Sequence, residues 1–408
     1  MPIQLNEIYA KLVSFTPSLA NIIKPMKKIS QIILLILLTI NSVYSQEYER
    51  YKKLADTTII SKYLGYDKNI TVTVPFEWQE DLNRDFPLII VFDRQNRRSH
   101  NYILNTIDYL TSNEQMPSSI IISVGSERNR FVETWHKVSG ETGLALENEK
   151  FIFDELIPLA ETKYNASPFR LFIGHSRYGY FTTSLFHSKV NDLDAVISIS
   201  PFFEQDNVDL TDSIGQLSNK LFNSKKYYRY GIGNDYPDDF HKMDSALKHL
   251  NNRNIDSKGY LFNEATHNAT PGLIISTALY EIFEKWYEIQ SKYFTDQQLD
   301  LTIINSLDEE VIDHYGVPLE FGIGVLNGKG WFFYNDGNYE KAIEAWEILL
   351  ESYPNFSDAY LYIIEAKLKL GQDISKTTEL FTNSLSTSKI YTEDQKEKLI
   401  LELNNLIK

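Results

Sequence analysis

The sequence predicts an α/β protein, a three-layer domain around a mostly parallel sheet over residues 46–295, followed by a small all-α domain over 300–408. Three observations predict it. Four short apolar runs, Pro87–Phe92, Ser119–Gly125, Phe169–Gly174 and Ala195–Ser200, lack the alternation of half-buried strands and are bounded by Gly, Pro or polar residues. Such runs suit strands buried on both faces. Helical patterns lie between them, at Asn148–Tyr164 and Gly179–Lys189, and this alternation is the sign of a parallel sheet with crossover helices. Beyond about residue 300 the strand signal stops and helical periodicity takes over.

The first element is an address. Met26-Lys27-Lys28, the apolar run Ile32–Leu38, and Val43-Tyr44-Ser45 before Gln46 have the three-part layout of a secretory signal peptide, residues 26–45. The run is about half of the roughly 20 residues a membrane span requires. Export to the periplasm or beyond, with cleavage near Ser45/Gln46 and no span in the mature protein, is therefore expected. Met26 reads as the true start, which makes residues 1–25 an upstream extension.

Paired strands are expected next, at Thr57–Tyr63 and Asn69–Val74 with Gly65-Tyr66-Asp67 as the turn. After the four buried runs, Lys225–Ile232 and Gly259–Phe262 read as two further strands, and a long helix starts near Gly272.

In the C-terminal region, Gly330, Gly337, Tyr339, Ala342, Trp346 and Pro354 match the spacing of a tetratricopeptide repeat. Gly371 follows Gly337 at the period of that repeat, about 34 residues. In this second, weaker copy Leu380 is expected where Trp346 sits, and Lys376 replaces Ala342. Such a short array packs on the α/β domain or on another protomer, and it could serve self-association or a protein partner.

Composition narrows the chemistry. The 408 residues include no cysteine, which excludes thiol catalysis, iron–sulfur clusters, disulfides and a lipoprotein anchor. Forty Lys and Arg against 55 Asp and Glu give a formal charge of −15, with no basic stripe, so nucleic acid is not an expected partner. Asp235, Asp238, Asp239 and His241 superficially resemble a metal cluster, but adjacent Asp238 and Asp239 point their side chains apart. Neither a metal nor an organic cofactor is expected.

The third buried run leads into Gly174-His175-Ser176-Arg177-Tyr178-Gly179 and then a helix. A serine held on a strained strand–helix turn projects its hydroxyl above the sheet. Hydrolases of this architecture place the acid and base later in the chain, in the order Ser, Asp or Glu, His. Asp235 follows the Lys225–Ile232 strand, and His267 follows Gly259–Phe262 on the loop before the long helix. A serine hydroxyl becomes nucleophilic when a neutral imidazole accepts its proton, and a buried carboxylate fixes that imidazole's tautomer. His175 is the rival base, but an immediate neighbour on a sharp elbow points away from the hydroxyl. Oxyanion donors are expected from the backbone N–H of Arg177 and from that of Arg94 or Gln95, after Asp93.

Together, Pro87–Asp93, the 126–130 segment Ser-Glu-Arg-Asn-Arg, Glu155–Tyr164, Phe169–Gly179, Gly233-Asn234-Asp235 and Glu264–Thr270 resemble the esterase family of α/β hydrolases. That family includes esterase D, enterochelin esterases, feruloyl esterases and mycolyltransferases. The resemblance covers roughly residues 55–290. It implies an α/β-hydrolase three-layer sandwich, a carboxylic ester hydrolase, and Ser176, Asp235 and His267 as nucleophile, acid and base. Two positions depart from the family pattern. Tyr178 occupies the last glycine's place in G-x-S-x-G, where it either pushes the helix from the strand or rotates outward. Arg94 stands where many relatives have Gly.

The expected function is an exported serine esterase acting through an acyl-enzyme on a small-molecule or carbohydrate ester. The ester is of the siderophore type or carries an acyl or feruloyl group. Arg94, Arg97, Arg98 and Arg177 would favour an anionic substrate, and Trp135 and Tyr178 could wall the site. One alternative is a catalytically impaired binding or scaffold protein that recruits a partner through the repeat. Another is an acyltransferase, because an alcohol can intercept an acyl-enzyme as water does.

Overall fold

The computed structural model describes residues 50–79, 84–126, 129–138, 141–206, 208–296 and 300–408. The signal segment, the upstream extension, Gln46 and the Glu127-Arg128 pair lie outside the described residues.

One eight-stranded sheet organises the α/β region. Its strands are β1 (Tyr51–Ile60), β2 (Asp67–Pro75), β3 (Phe86–Phe92), β4 (Ile120–Val124), β5 (Ala166–His175), β6 (Ala195–Ile199), β7 (Lys226–Ile232) and β8 (Ile255–Leu261). They lie side by side in the order β1-β2-β4-β3-β5-β6-β7-β8. The β1–β2 and β2–β4 pairs are antiparallel and the rest are parallel. The first hairpin starts earlier than its alternation suggests and turns at residues 61–66, where Gly65 takes a positive φ of 75°.

The unbroken apolar runs are explained by burial on both faces. Every residue of β3 and of β4 is buried. Leu88, Ile90 and Phe92 join a core with Phe151, Leu156, Phe181, Leu185 and Met243. Ile89 and Val91 are equally buried and point to the opposite face.

Helices α1 (Arg97–Ser112), α2, α3 (Arg177–Ser188), α4 (Pro237–Lys248) and α5 (Pro271–Thr295) cover the sheet. Helix α2 runs from Ala145–Phe151 through a π turn at Ile152–Leu156 into Ile157–Tyr164. Helix α5 lies against the second face, where Gly231 of β7 leaves room for Ile274. The chain thus forms three layers with a mixed, mostly parallel sheet at the centre.

Six helices follow: α6 (Ile303–Tyr315), α7 (Ile323–Asn335), α8 (Tyr339–Ser352), α9 (Ser357–Lys369), α10 (Ser375–Thr387) and α11 (Glu393–Leu406). They pack on the α/β region, and Glu49–Lys408 form one compact unit. Polar contacts fix the seam. The Tyr315 hydroxyl accepts the Trp286 N–H at 3.0 Å and donates to the Ile282 carbonyl at 3.0 Å. The Glu114 carboxylate accepts the N–H groups of Gly324 and Val325 in the first turn of α7, where helix backbone donors are otherwise unpaired.

Turn glycines Gly337 and Gly371 both adopt positive φ, at 78° and 67°. Gly330 lets the Trp346 indole pack against the α7 backbone, since a Cβ there would lie 2.1 Å from its Nε1. The second pair is displaced by one residue from the expected register. Thr377 and Phe381 are buried in the places expected for Lys376 and Leu380, while Leu380 is 43% exposed. The chain between Gly371 and α10 is longer than that between Gly337 and α8, and this carries the apolar face one position onward.

Candidate active site

The C-terminal ends of β3, β5, β7 and β8 converge, as sites on open α/β sheets do. Ser176 sits between β5 and α3 with φ 59° and ψ −115°, a strained conformation for a residue bearing a side chain. Its N–H donates to the Ile199 carbonyl at 2.7 Å, and its carbonyl accepts the Tyr180 N–H at 3.0 Å. Gly174 is required by this turn, because a Cβ there would lie 2.2 Å from the Tyr178 carbonyl oxygen.

Asp235 and His267 are brought together from different strand ends. His267 Nδ1 lies 2.5 Å from Asp235 Oδ2, with the carboxylate side chain 14% exposed and the imidazole 29%. The carboxylate accepts, so Nδ1 carries the proton and Nε2 keeps its lone pair. The two loops are tied by the Asn234 N–H, which donates to the Ala265 carbonyl at 2.8 Å. Only glycine fits at 233, where a Cβ would meet that carbonyl oxygen at 2.4 Å.

His175 connects this pair to the elbow. Its ring lies 4.7 Å from that of His267, and its Nε2 is 3.0 Å from the His267 carbonyl oxygen. A carbonyl only accepts, so His175 donates through Nε2 and braces the His267 backbone. Burial, then the neighbouring His267 ring, pushes the His175 pKa down to about 4, which keeps it neutral.

Around the oxyanion region the two candidates after Asp93 differ. The Arg94 N–H donates to the Val124 carbonyl at 3.1 Å, and its side chain turns away to Asp56 and Thr71 on the sheet edge. The Arg94 amide is thereby engaged, whereas among the described residues the Gln95 amide has no such partner. Asp93, with φ 62°, accepts from Arg130 Nε at 2.8 Å, and Arg130 Nη2 donates to the His175 carbonyl at 2.9 Å. Arg130 thus spans the β3 and β5 loop ends. The sequence reading gave it no role, and its only signal was its place in the 126–130 segment.

Tyr178 corrects an expectation. It neither displaces the helix nor rotates outward; it is fully buried and stacks on Phe92 at 4.6 Å. Its neighbour Gly179 makes the close approach to Ile199 and Pro201 instead. The wall beside the elbow is built by Phe131, Trp135, Phe202 and Tyr236. Trp135 stacks on Phe131 at 4.7 Å, and Tyr236 meets His267 edge-on at 6.0 Å. Arg97 and Arg98 are exposed at the start of α1, and Asp239 accepts the Phe203 N–H at 3.0 Å.

Residues 61–230 match a family model described as "Putative esterase". Among solved structures, the chain resembles an IroE-like serine hydrolase from Shewanella oneidensis at 14% identity and a TM-score of 0.59. That match covers 74% of this chain and 99% of the other. A protein from Capnocytophaga ochracea matches at 15% identity and a TM-score of 0.56, over 87% of this chain and all of its own. These likenesses show the fold. No curated protein matches the sequence. Over residues 61–230 the chain is thus similar to the putative esterase family, and it carries the α/β-hydrolase fold of these neighbours with a helical C-terminal region.

Proposed function

We propose that this protein is an exported serine hydrolase that cleaves carboxylic esters through an acyl-enzyme. Ser176 Oγ attacks the ester carbonyl as His267 Nε2 takes its proton. Asp235 holds the imidazole tautomer and stabilises the imidazolium. The N–H groups of Arg177 and Gln95 stabilise the oxyanion. His267 then returns the proton to the leaving alkoxide, and water repeats the sequence to release the acid.

The observation that carries this reading is the 2.5 Å pairing of His267 with Asp235, with the His267 ring 4.7 Å from that of His175, the residue before a serine held at φ 59°. The Shewanella oneidensis neighbour, described as a serine hydrolase, supports it. The aromatic wall suits a siderophore-type ester or an aromatic acyl group on a carbohydrate, and the expected signal peptide places that substrate outside the cytoplasm. Helices α7–α10 are read as tetratricopeptide-like, a surface for a protein partner.

The test is hydrolysis of short-chain p-nitrophenyl esters by the protein and by a folded Ser176→Ala variant. The parent is expected to turn over and the variant to lose at least a thousandfold in kcat/KM. Unchanged activity in the variant would remove Ser176 from the mechanism.

A further inference from the structure

Arg177, the residue after the candidate nucleophile, is partly buried and has no anionic partner among the described residues. Arg94 is paired with Asp56, and Arg130 with Asp93. Arg177 instead lies over the Phe131 ring at 4.2 Å and the Trp135 ring at 5.1 Å, and its Nη1 is buried without a hydrogen-bond partner. A guanidinium carries five donors and cannot give up its proton in a protein, so a buried unpaired donor on it is costly. Burial, with Arg130 nearby, lowers its pKa, the direction expected where positive charge lacks a counterion.

The surroundings explain why the cost is tolerated. Phe131 and Trp135 hold the planar group from one side, and the Trp135 Nε1 is fixed by Asp206 at 2.8 Å. The carboxylate of Asp206 is thereby occupied by the indole. On the same loop Gln205 is 4% exposed, with both amide atoms lacking partners among the described residues. Trp135 thus joins Arg177 to this loop, and unpaired buried polar groups of this kind mark a place where a ligand completes the hydrogen bonding.

We propose that Arg177 is a specificity-determining residue, selecting esters whose non-reacting end carries a carboxylate or an equivalent anionic oxygen group. This rests on the cleft being the ester-binding site, and it adds the substrate's charge to that reading. The backbone N–H of Arg177 serves the oxyanion while its side chain reads the far end of the same molecule. One residue therefore couples recognition to the reacting carbonyl.

The experiment uses the Ser176→Ala protein, in which the esters persist. Monomethyl succinate, glutarate and adipate are titrated calorimetrically beside their neutral dimethyl counterparts. At least one monoanion is expected to bind tenfold or more tighter than its neutral partner. Adding Arg177→Met should erase that ratio, and Arg177→Lys should retain part of it. A merely structural arginine would weaken both partners equally and leave the ratio unchanged, which would overturn the proposal. Equal affinities at every length, or no binding of any of the six esters, would overturn it too. Catalysis is not needed for this readout, so failure of the acyl-enzyme reading appears separately in the p-nitrophenyl ester assay.

Discussion

Tyr178 donates its phenolic proton to Glu133 Oε2 at 2.6 Å and accepts one from Ser126 Oγ at 2.6 Å, all inside the core. The residue that breaks the elbow's glycine pattern is therefore an anchor. It ties the first turn of α3 to the segment after β4 and, through Glu133, to Lys68 and Tyr66. Burial, then the Glu133 charge, raises the Tyr178 pKa, so the phenol stays a donor.

Restoring the glycine should harm this protein. Tyr178→Gly removes a stacked, fully buried ring and is expected to cost about 3–5 kcal/mol. Tyr178→Phe keeps the ring and should cost about 1–3 kcal/mol, because Glu133 and Ser126 each lose a partner. Urea unfolding curves measure both. A glycine variant as stable as the parent would show that the anchor contributes nothing.

Lys68 and Glu133 form an ion pair at 2.7 Å, with side chains 2% and 0% exposed. Removing one partner leaves a buried charge uncompensated, so Lys68→Met should destabilise by about 3–5 kcal/mol. Adding Glu133→Leu removes the uncompensated charge but leaves the Tyr66 and Tyr178 phenols without their acceptor, so the double variant should recover only part of that loss. Chemical denaturation of the three proteins checks the pattern, and an additive double mutant would contradict it.

Asp235→Asn should keep the fold and lower kcat by about three to four orders of magnitude, with a smaller effect on KM. The amide can donate to Nδ1 and so favours the wrong tautomer of His267. Steady-state kinetics, with circular dichroism as the folding control, decides this. A loss below tenfold would assign the acid role elsewhere.

His100 gives a pH prediction away from the elbow. Its Nε2 lies 2.7 Å from Ser123 Oγ, and burial, then the Arg94 charge, pushes its pKa down to about 4. The remaining charged neighbour acting on it is Lys53, which also disfavours protonation. Between that value and the ordinary 6.5, the unfolded chain binds the proton and the folded chain does not. Stability therefore falls as pH drops from 6.5 toward 4, by about 1.4 kcal/mol per pH unit for each such histidine. Buried His175 acts in the same direction. His100→Gln should flatten the dependence by one proton, read from urea midpoints across that range. An unchanged slope would show that His100 titrates normally.

The sequence by itself determined the sheet's buried strands, the helices between them and the strand-end positions of Ser176, Asp235 and His267. Burial on both faces leaves an unbroken apolar run, and a strand-to-helix turn leaves its glycines, so both are local signals. Tertiary structure alone decided the rest. That the Arg94 amide is engaged by Val124 depends on a neighbouring strand separated from it by a whole helix. Tyr178 turns inward because Glu133 and Phe92, distant in the chain, form its site. The second helical pair shifts by one residue because packing selects which face is buried, and period alone does not fix it. Arg130 bridging Asp93 to His175, and Arg177 without a counterion among the described residues, follow the same rule: a charge finds its partner, or lacks one, only when distant segments meet.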